Sequence, residues 1–151
     1  MKTAAFAVVI AAMAAPAFAD VVEDSIRARR GFFTMLGMGV EPLGAMARGE
    51  AEYDAGVAQG HADDLAALAG YRFGALFVEG SSNADRAGET RALPAIWSNA
   101  DDFQAKAADL IQAIAGVQAA APEGRAAMGA ALGTLGGTCR ACHQSYRAQN
   151  F

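Results

Sequence analysis

The chain has 151 residues, 54% hydrophobic and 19% charged, with 12 Lys+Arg against 16 Asp+Glu and a formal net charge of −4. That length suits one domain, the apolar content with only four prolines argues against intrinsic disorder, and the acidic balance lacks the basic footprint of a nucleic-acid binder. Its 39 alanines favour helix, and β-branched residues are too scarce to build a sheet, so the expected class is all-α.

Residues 1–19 read as a cleaved secretory signal peptide. Met1-Lys2 gives a short positive start, Thr3 to Ala19 carries no charge, and Ala17-Phe18-Ala19 before Asp20 fits the small-x-small cleavage rule. An uncleaved anchor would need about 20 strongly apolar residues, whereas this run is mostly alanine and is broken by Pro16. The expected mature chain is residues 20–151, exported and without a membrane anchor. Loss of Lys2 takes its formal charge from −4 to −5.

Four helical seams follow. Val22, Ile26, Arg29, Phe33, Leu36, Val40, Leu43 and Ala47 step by four and three, which keeps them on one side of a helix over about residues 21–48. Pro42 is expected to kink it. A second helix over about residues 50–69 carries the small-residue stripe Ala58, Ala62, Leu65 and Ala69. Between Gly70 and Trp97, glycines, serines and Pro94 mark a long connection, unusual in a small domain unless it covers a site or has short turns of its own. Ser98-Asn99-Ala100-Asp101 resembles a capping box for a third helix with the seam Phe103, Ala107, Leu110, Ile114, Val117, Ala121. Pro122 suits the first turn of a fourth, with the seam Met128, Leu132, Leu135, Cys139, Cys142, Tyr146. The pattern predicts an antiparallel four-helix bundle.

Cys139-Arg140-Ala141-Cys142-His143 carries the chemistry. Cys-x-x-Cys-His is the attachment signature of c-type haem. Residues three and four apart share a helix face, so both thiols can meet the two vinyl groups of one porphyrin while His143 turns its imidazole to the iron. Two other readings compete. A thioredoxin-like pair would want a strand–helix context in an α/β fold. A structural zinc site would need a fourth ligand, and His61 is the one other histidine.

With eight residues after His143, no downstream methionine can supply a sixth iron ligand. Met35, Met38, Met46 and His61 are the upstream candidates. Met35 and Met38 lie off the first seam and His61 beside the second stripe, while mid-seam Phe33 cannot ligate iron. A five-coordinate iron under a crowded apolar face is expected. Arg29 intrudes on the first seam and needs an anionic partner to offset burial, for which a haem propionate is suited; the alternative is a snorkelling side chain.

These residues resemble cytochrome c′, the high-spin class II cytochromes c, across essentially the whole mature chain. The resemblance rests on the C-terminal haem motif, Arg29-Arg30-Gly31-Phe32-Phe33, Ala95-Ile96-Trp97-Ser98, Leu135-Gly136-Gly137-Thr138 and Gln144-Ser145-Tyr146-Arg147. It implies one haem c, linked by thioethers to Cys139 and Cys142, with His143 as its metal ligand. Phe33 falls where the family places a bulky apolar residue over the vacant iron face, and where low-spin relatives carry a ligating methionine. Arg29 and Arg30 match residues near the propionates, Arg147 matches a basic residue bordering the proximal pocket, and Glu89 and Thr90 match the haem edge. It further implies a homodimer built on the first two helices.

The function expected is that of a periplasmic haem protein, not an enzyme, that binds nitric oxide and carbon monoxide and exchanges electrons with a redox partner the sequence leaves unnamed. The alternative is a six-coordinate, low-spin electron carrier. A haem peroxidase is a third class, for which no distal acid–base pair is visible.

Overall fold

The computed structural model describes residues 17–151, with side chains from residue 21 onward. The signal segment expected over residues 1–19 lies outside the described residues, apart from the backbone of 17–19, which opens the first helix. Five α-helices follow: α1 (Ala17–Arg48), α2 (Ala55–Ala69), α3 (Ala95–Ser98), α4 (Ala100–Ala120) and α5 (Arg125–Tyr146). The four long ones form an antiparallel four-helix bundle, in which α1 packs on α2 and α5, and α4 packs on the same two. Among the described residues there is no β-strand, only an isolated antiparallel bridge between Ala92 and Arg147.

The expected seams supply the core with one shift of phase. On α1 the buried residues are Ile26, Arg29, Phe32, Leu36, Leu43 and Met46, together with Ser25. Phe32 takes the place expected of Phe33, because a 3.6-residue helix drifts against a strict seven-residue spacing. Phe32 is 4% exposed and stacks on Phe73, whereas Phe33 is 38% exposed and meets both rings edge-on. Leu43, Leu65, Ile114, Val117 and Met128 are fully buried where the four helices meet. On α5, Met128, Leu135 and Tyr146 are buried as the seam requires.

Helix ends differ from the sequence reading for local reasons. Helix α1 continues through Pro42, which costs one backbone donor but does not end the helix. It stops at Gly49, whose φ of 76° a side chain would oppose. Helix α2 then begins at Ala55, later than expected, because the Asp54 carboxylate caps the Val57 amide at 2.8 Å. The capping box before α4 does not form. Asn99 makes no side-chain cap and donates its Nδ2 to the Tyr146 hydroxyl at 3.1 Å. Pro122 sits in a 3₁₀ turn (Ala121–Glu123) ahead of α5, and Gly124 at φ 109° turns the chain into that helix. Tyr53 ties this corner, donating to the Ala121 carbonyl at 2.6 Å and accepting from the Gly124 amide at 3.0 Å.

The long connection has turns of its own, a 3₁₀ segment (Phe73–Leu76) and the one-turn α3. Its far end runs beside the C-terminal tail. The Leu93 amide donates to the Tyr146 carbonyl at 3.0 Å and the Ala148 amide to the Arg91 carbonyl at 2.8 Å. The connection is thereby closed over the end of α5 that carries the cysteines.

Two expectations test this packing. A Cβ on Gly39 would lie 2.8 Å from Leu65 Cδ2, at the α1–α2 crossing, while one on Gly37 would meet nothing within 4 Å. Thermal and denaturant unfolding should show Gly39→Val destabilised by about 1–3 kcal/mol, and Gly37→Ala stabilised by about 0.5–1 kcal/mol. The second concerns Tyr146, whose hydroxyl donates to Asp102 Oδ2 at 2.6 Å and whose pKa is pushed up to about 12 from 10 by that bond. The unfolded chain therefore releases this proton first, so stability held below pH 10 is lost as pH rises through 12. Tyr146→Phe should flatten that alkaline decline, measured as unfolding midpoint against pH.

Candidate haem-binding site

Helix α5 places its chemistry by period alone. Leu135, Cys139, Cys142 and Tyr146 step by four, three and four, so buried Leu135 and Tyr146 bracket two half-buried thiols on one face. Neither cysteine is in a disulfide. Burial pushes both thiols above their ordinary pKa, and the Lys106 charge on α4 opposes this at Cys142. Both are protonated at neutral pH. Just before them, a Cβ on Gly136 or Gly137 would meet nothing within 4 Å.

His143 follows on the exposed flank of α5. It lines a cleft of about 390 Å³ with Arg91, Arg140, Gln144, Arg147 and Gln149. Partial desolvation and the Arg91 charge hold its imidazole below the usual histidine pKa. A neutral imidazole with an available lone pair is the form that binds metal. Arg147 caps α5, its amide donating to the His143 carbonyl at 3.1 Å, and its backbone pairs with Ala92.

Arg29 is 4% exposed and does not snorkel. Its guanidinium donates to Ser81 Oγ at 2.7 Å, the Ser81 carbonyl at 2.5 Å and Thr90 Oγ1 at 2.6 Å, and lies 5.1 Å from the Phe77 ring centroid. These partners are neutral, and among the described residues no carboxylate pairs with it. Within the chain, neutral acceptors satisfy the fork, and burial pulls its pKa down to about 10. Next to it, Arg30 Nη1 reaches the Glu89 carbonyl at 3.4 Å.

The structure therefore joins Arg29 to Thr90 and Arg30 to Glu89, and Arg147 to His143, as two groups linked through residues 90–92. The Ala92 amide donates to Thr90 Oγ1 at 3.1 Å and completes that link. Phe33 sits in the ring cluster with Phe32 and Phe73. Sequence reasoning missed Ser81, Arg91 and Lys106. The adjoining Ser81-Ser82 pair and the Arg91 that follows Glu89-Thr90 were the available signals.

Met35, Met38 and His61 line a groove of about 800 Å³ between α1, α2 and the turn after α2, to which α5 contributes no residue. Met46 is buried in the core at 6% exposure. No group of three or more His, Cys, Asp or Glu side chains able to hold a metal ion exists among the described residues. The residues present fit a covalently held haem: two thiols on one helix face, an adjacent neutral imidazole, side-chain-free space over Gly136 and Gly137, and a buried cation without a carboxylate.

The chain is similar to known proteins over most of its length. The family model described as Cytochrome C′ matches residues 24–147. A cytochrome c′ from Cereibacter sphaeroides is 40% identical over 149 residues, covering 99% of each chain. A cytochrome c-554 from Cereibacter sphaeroides is 40% identical over 129 residues, 85% of this chain and 96% of the relative. Among solved structures, cytochrome c′ from Rhodobacter Spheriodes superposes with a TM-score of 0.82 at 41% identity, covering 85% of this chain and 98% of its own. A nitric oxide complex of a mutant cytochrome c prime from Alcaligenes xylosoxidans superposes with a TM-score of 0.74 at 29% identity, covering 85% and 97%.

Two substitutions check the site. Arg29→Ala removes the donor to the Ser81 carbonyl, Ser81 Oγ and Thr90 Oγ1, so the apoprotein should lose about 2–4 kcal/mol of unfolding free energy, with Arg29→Lys recovering only part of it. Replacing both Cys139 and Cys142 by serine should abolish the haem stain that survives denaturing electrophoresis.

Proposed function

The chain belongs to the cytochrome c′ family and is a haem c protein of that class, and from that premise we propose that it is an exported, five-coordinate high-spin cytochrome that binds nitric oxide and carbon monoxide and exchanges electrons. The observation that carries this reading is the placement of the alternative ligands. Met35, Met38 and His61 belong to a groove without any α5 residue, and Met46 belongs to the core. The first three share no pocket with the helix that holds the cysteines and His143, and Met46 is packed into the core beside the start of α5, where a Cβ on Gly129 would lie 3.7 Å from Ala47, away from His143 at its other end. A six-coordinate low-spin carrier would need one of them, so that second reading is disfavoured. The nitric oxide complex of the Alcaligenes xylosoxidans protein supports nitric oxide as a ligand here.

Bound haem supplies an iron for one-electron exchange and for coordination of small diatomic molecules. The residues around it do the rest. Cys139 and Cys142 would hold it through thioethers, and His143, whose pKa is lowered by partial burial and the Arg91 charge, would ligate its iron. Arg29 and Arg30, anchored against Thr90 and the Glu89 carbonyl, are the cations that would pair with its propionates. Phe33 offers an apolar ring and no hydrogen-bond donor, which disfavours polar ligands and selects small neutral ones by size. Arg147 borders the proximal side beside His143. The task that follows is buffering of nitric oxide or electron traffic, and not enzymatic turnover.

Residues 1–19 are the signal that delivers residues 20–151 to the periplasm; no described helix is long and apolar enough to cross a membrane. The α1–α2 groove, with Met35 48% and Met38 69% exposed, is the face on which two copies associate as a homodimer.

An absorption spectrum of the ferric protein should be high-spin at neutral pH; a methionine-ligated low-spin band would overturn the proposal. Phe33→Ala should speed carbon monoxide binding in a flash-photolysis or stopped-flow measurement, and unchanged kinetics would remove Phe33 from the gate.

A further inference from the structure

The cleft over His143 carries a charge opposite to that of the chain. Three of its lining residues, Arg91, Arg140 and Arg147, are cationic and none is acidic, in a molecule whose formal net charge is −4. Arg140 and Arg147 are exposed on α5 and its C-terminal cap, and Arg91 approaches from the long connection. The C-terminal tail completes the rim. The Gln149 carbonyl accepts from Arg91 at 3.3 Å, and the Phe151 ring lies 5.2 Å from the Arg91 guanidinium and 5.9 Å from that of Arg30.

Two acidic side chains of the adjoining elements are engaged elsewhere. Glu89 pairs with Arg86 at 3.7 Å, and Asp102 is engaged by Tyr146 and by Lys106 at 3.7 Å. Exposed guanidiniums drawn from two elements hold one small anion poorly, because solvent screens each contact. Several carboxylates presented together by a protein surface engage all of them at once and are steered in by the same field.

We propose that this cleft is the docking surface for an acidic protein redox partner, brought by Arg91, Arg140 and Arg147 against the edge of the site at His143. The inference rests on the proposed reading of the chain as an electron-exchanging haem protein, and it adds the partner's chemistry and place of contact. A partner seated there approaches along α5, beside His143 and within one turn of Cys139 and Cys142.

Stopped-flow electron exchange of the holoprotein with two small reagents tests it: hexacyanoferrate, an anion, and hexaammineruthenium, a cation. At low ionic strength the anion should react faster despite the net negative chain, with the gap closing as salt shortens the screening length to about 8 Å. Arg140→Glu and Arg91→Glu together should slow the anionic reagent about tenfold. Arg140→Glu alone should act in the same direction, while Arg125→Glu, at the far end of α5 with the same change in net charge, should not. A faster cation, or equal effects of Arg140→Glu and Arg125→Glu, would overturn the docking surface and leave electron exchange standing. If neither reagent exchanges electrons, the functional reading fails, and calorimetric titration with an oligoglutamate peptide decides the surface. Binding that is lost in Arg140→Glu and kept in Arg125→Glu upholds it; no binding overturns it.

Discussion

The rest of the structure depends on burial of one guanidinium without a carboxylate to pair with it. Arg29 points from α1 into the bundle and finds its acceptors on the long connection, at Ser81 and Thr90. An unpaired buried cation is costly, so the connection must lie where its carbonyl and hydroxyls can reach the fork. That requirement turns residues 70–97 from a loop into a lid over one end of the bundle. Ser81 and Thr90 are themselves buried there, and Ser81 Oγ in turn donates to the Val78 carbonyl at 2.6 Å.

From Thr90 the constraint passes along the backbone to the site. Thr90 Oγ1 accepts from the Ala92 amide, and Ala92 bridges to Arg147 at the end of α5, one turn beyond His143. The aromatic side chains fill the volume around this path: Phe103 lies edge-on between Phe77 and Tyr146. Trp97 Nε1 donates to the Phe77 carbonyl at 3.1 Å. The bundle is thus asymmetric. At the Tyr53 end it is closed by small residues and tight turns, and at the α5 C-terminal end by rings, a lid and a cluster of arginines.

The alanine content has a matching physical sense. Small side chains on α2 let the helices approach, as Gly39 does against Leu65, and they limit how much core volume the chain fills for itself. Large apolar residues gather where the four helices meet and in the ring cluster, while a Cβ on Gly136, one turn ahead of Cys139 on the face of the thiols, would meet nothing within 4 Å. A rigid, flat, apolar prosthetic group suits such an interior.

Much of this was legible in the residue order. Helical periodicity marked the four long helices and most of the core, because a 3.6-residue repeat is a local property of the chain. The Cys139–Cys142–His143 constellation was legible for the same reason, since all three lie within five consecutive residues of one helix. What lay beyond the sequence depended on contacts between distant segments. That Phe32 and not Phe33 faces inward follows from the drift of the helix, but its stacking partner Phe73, about 40 residues away, was supplied by the fold. Whether Asn99 caps α4 was decided by Tyr146, which took its side chain instead. The partners of Arg29 and the convergence of Arg91, Arg140 and Arg147 on one cleft likewise came from the fold, because only tertiary packing brings the lid and the C-terminal tail to α5. Periodicity along a helix is encoded locally; which polar group satisfies a buried charge is settled only when separate elements meet.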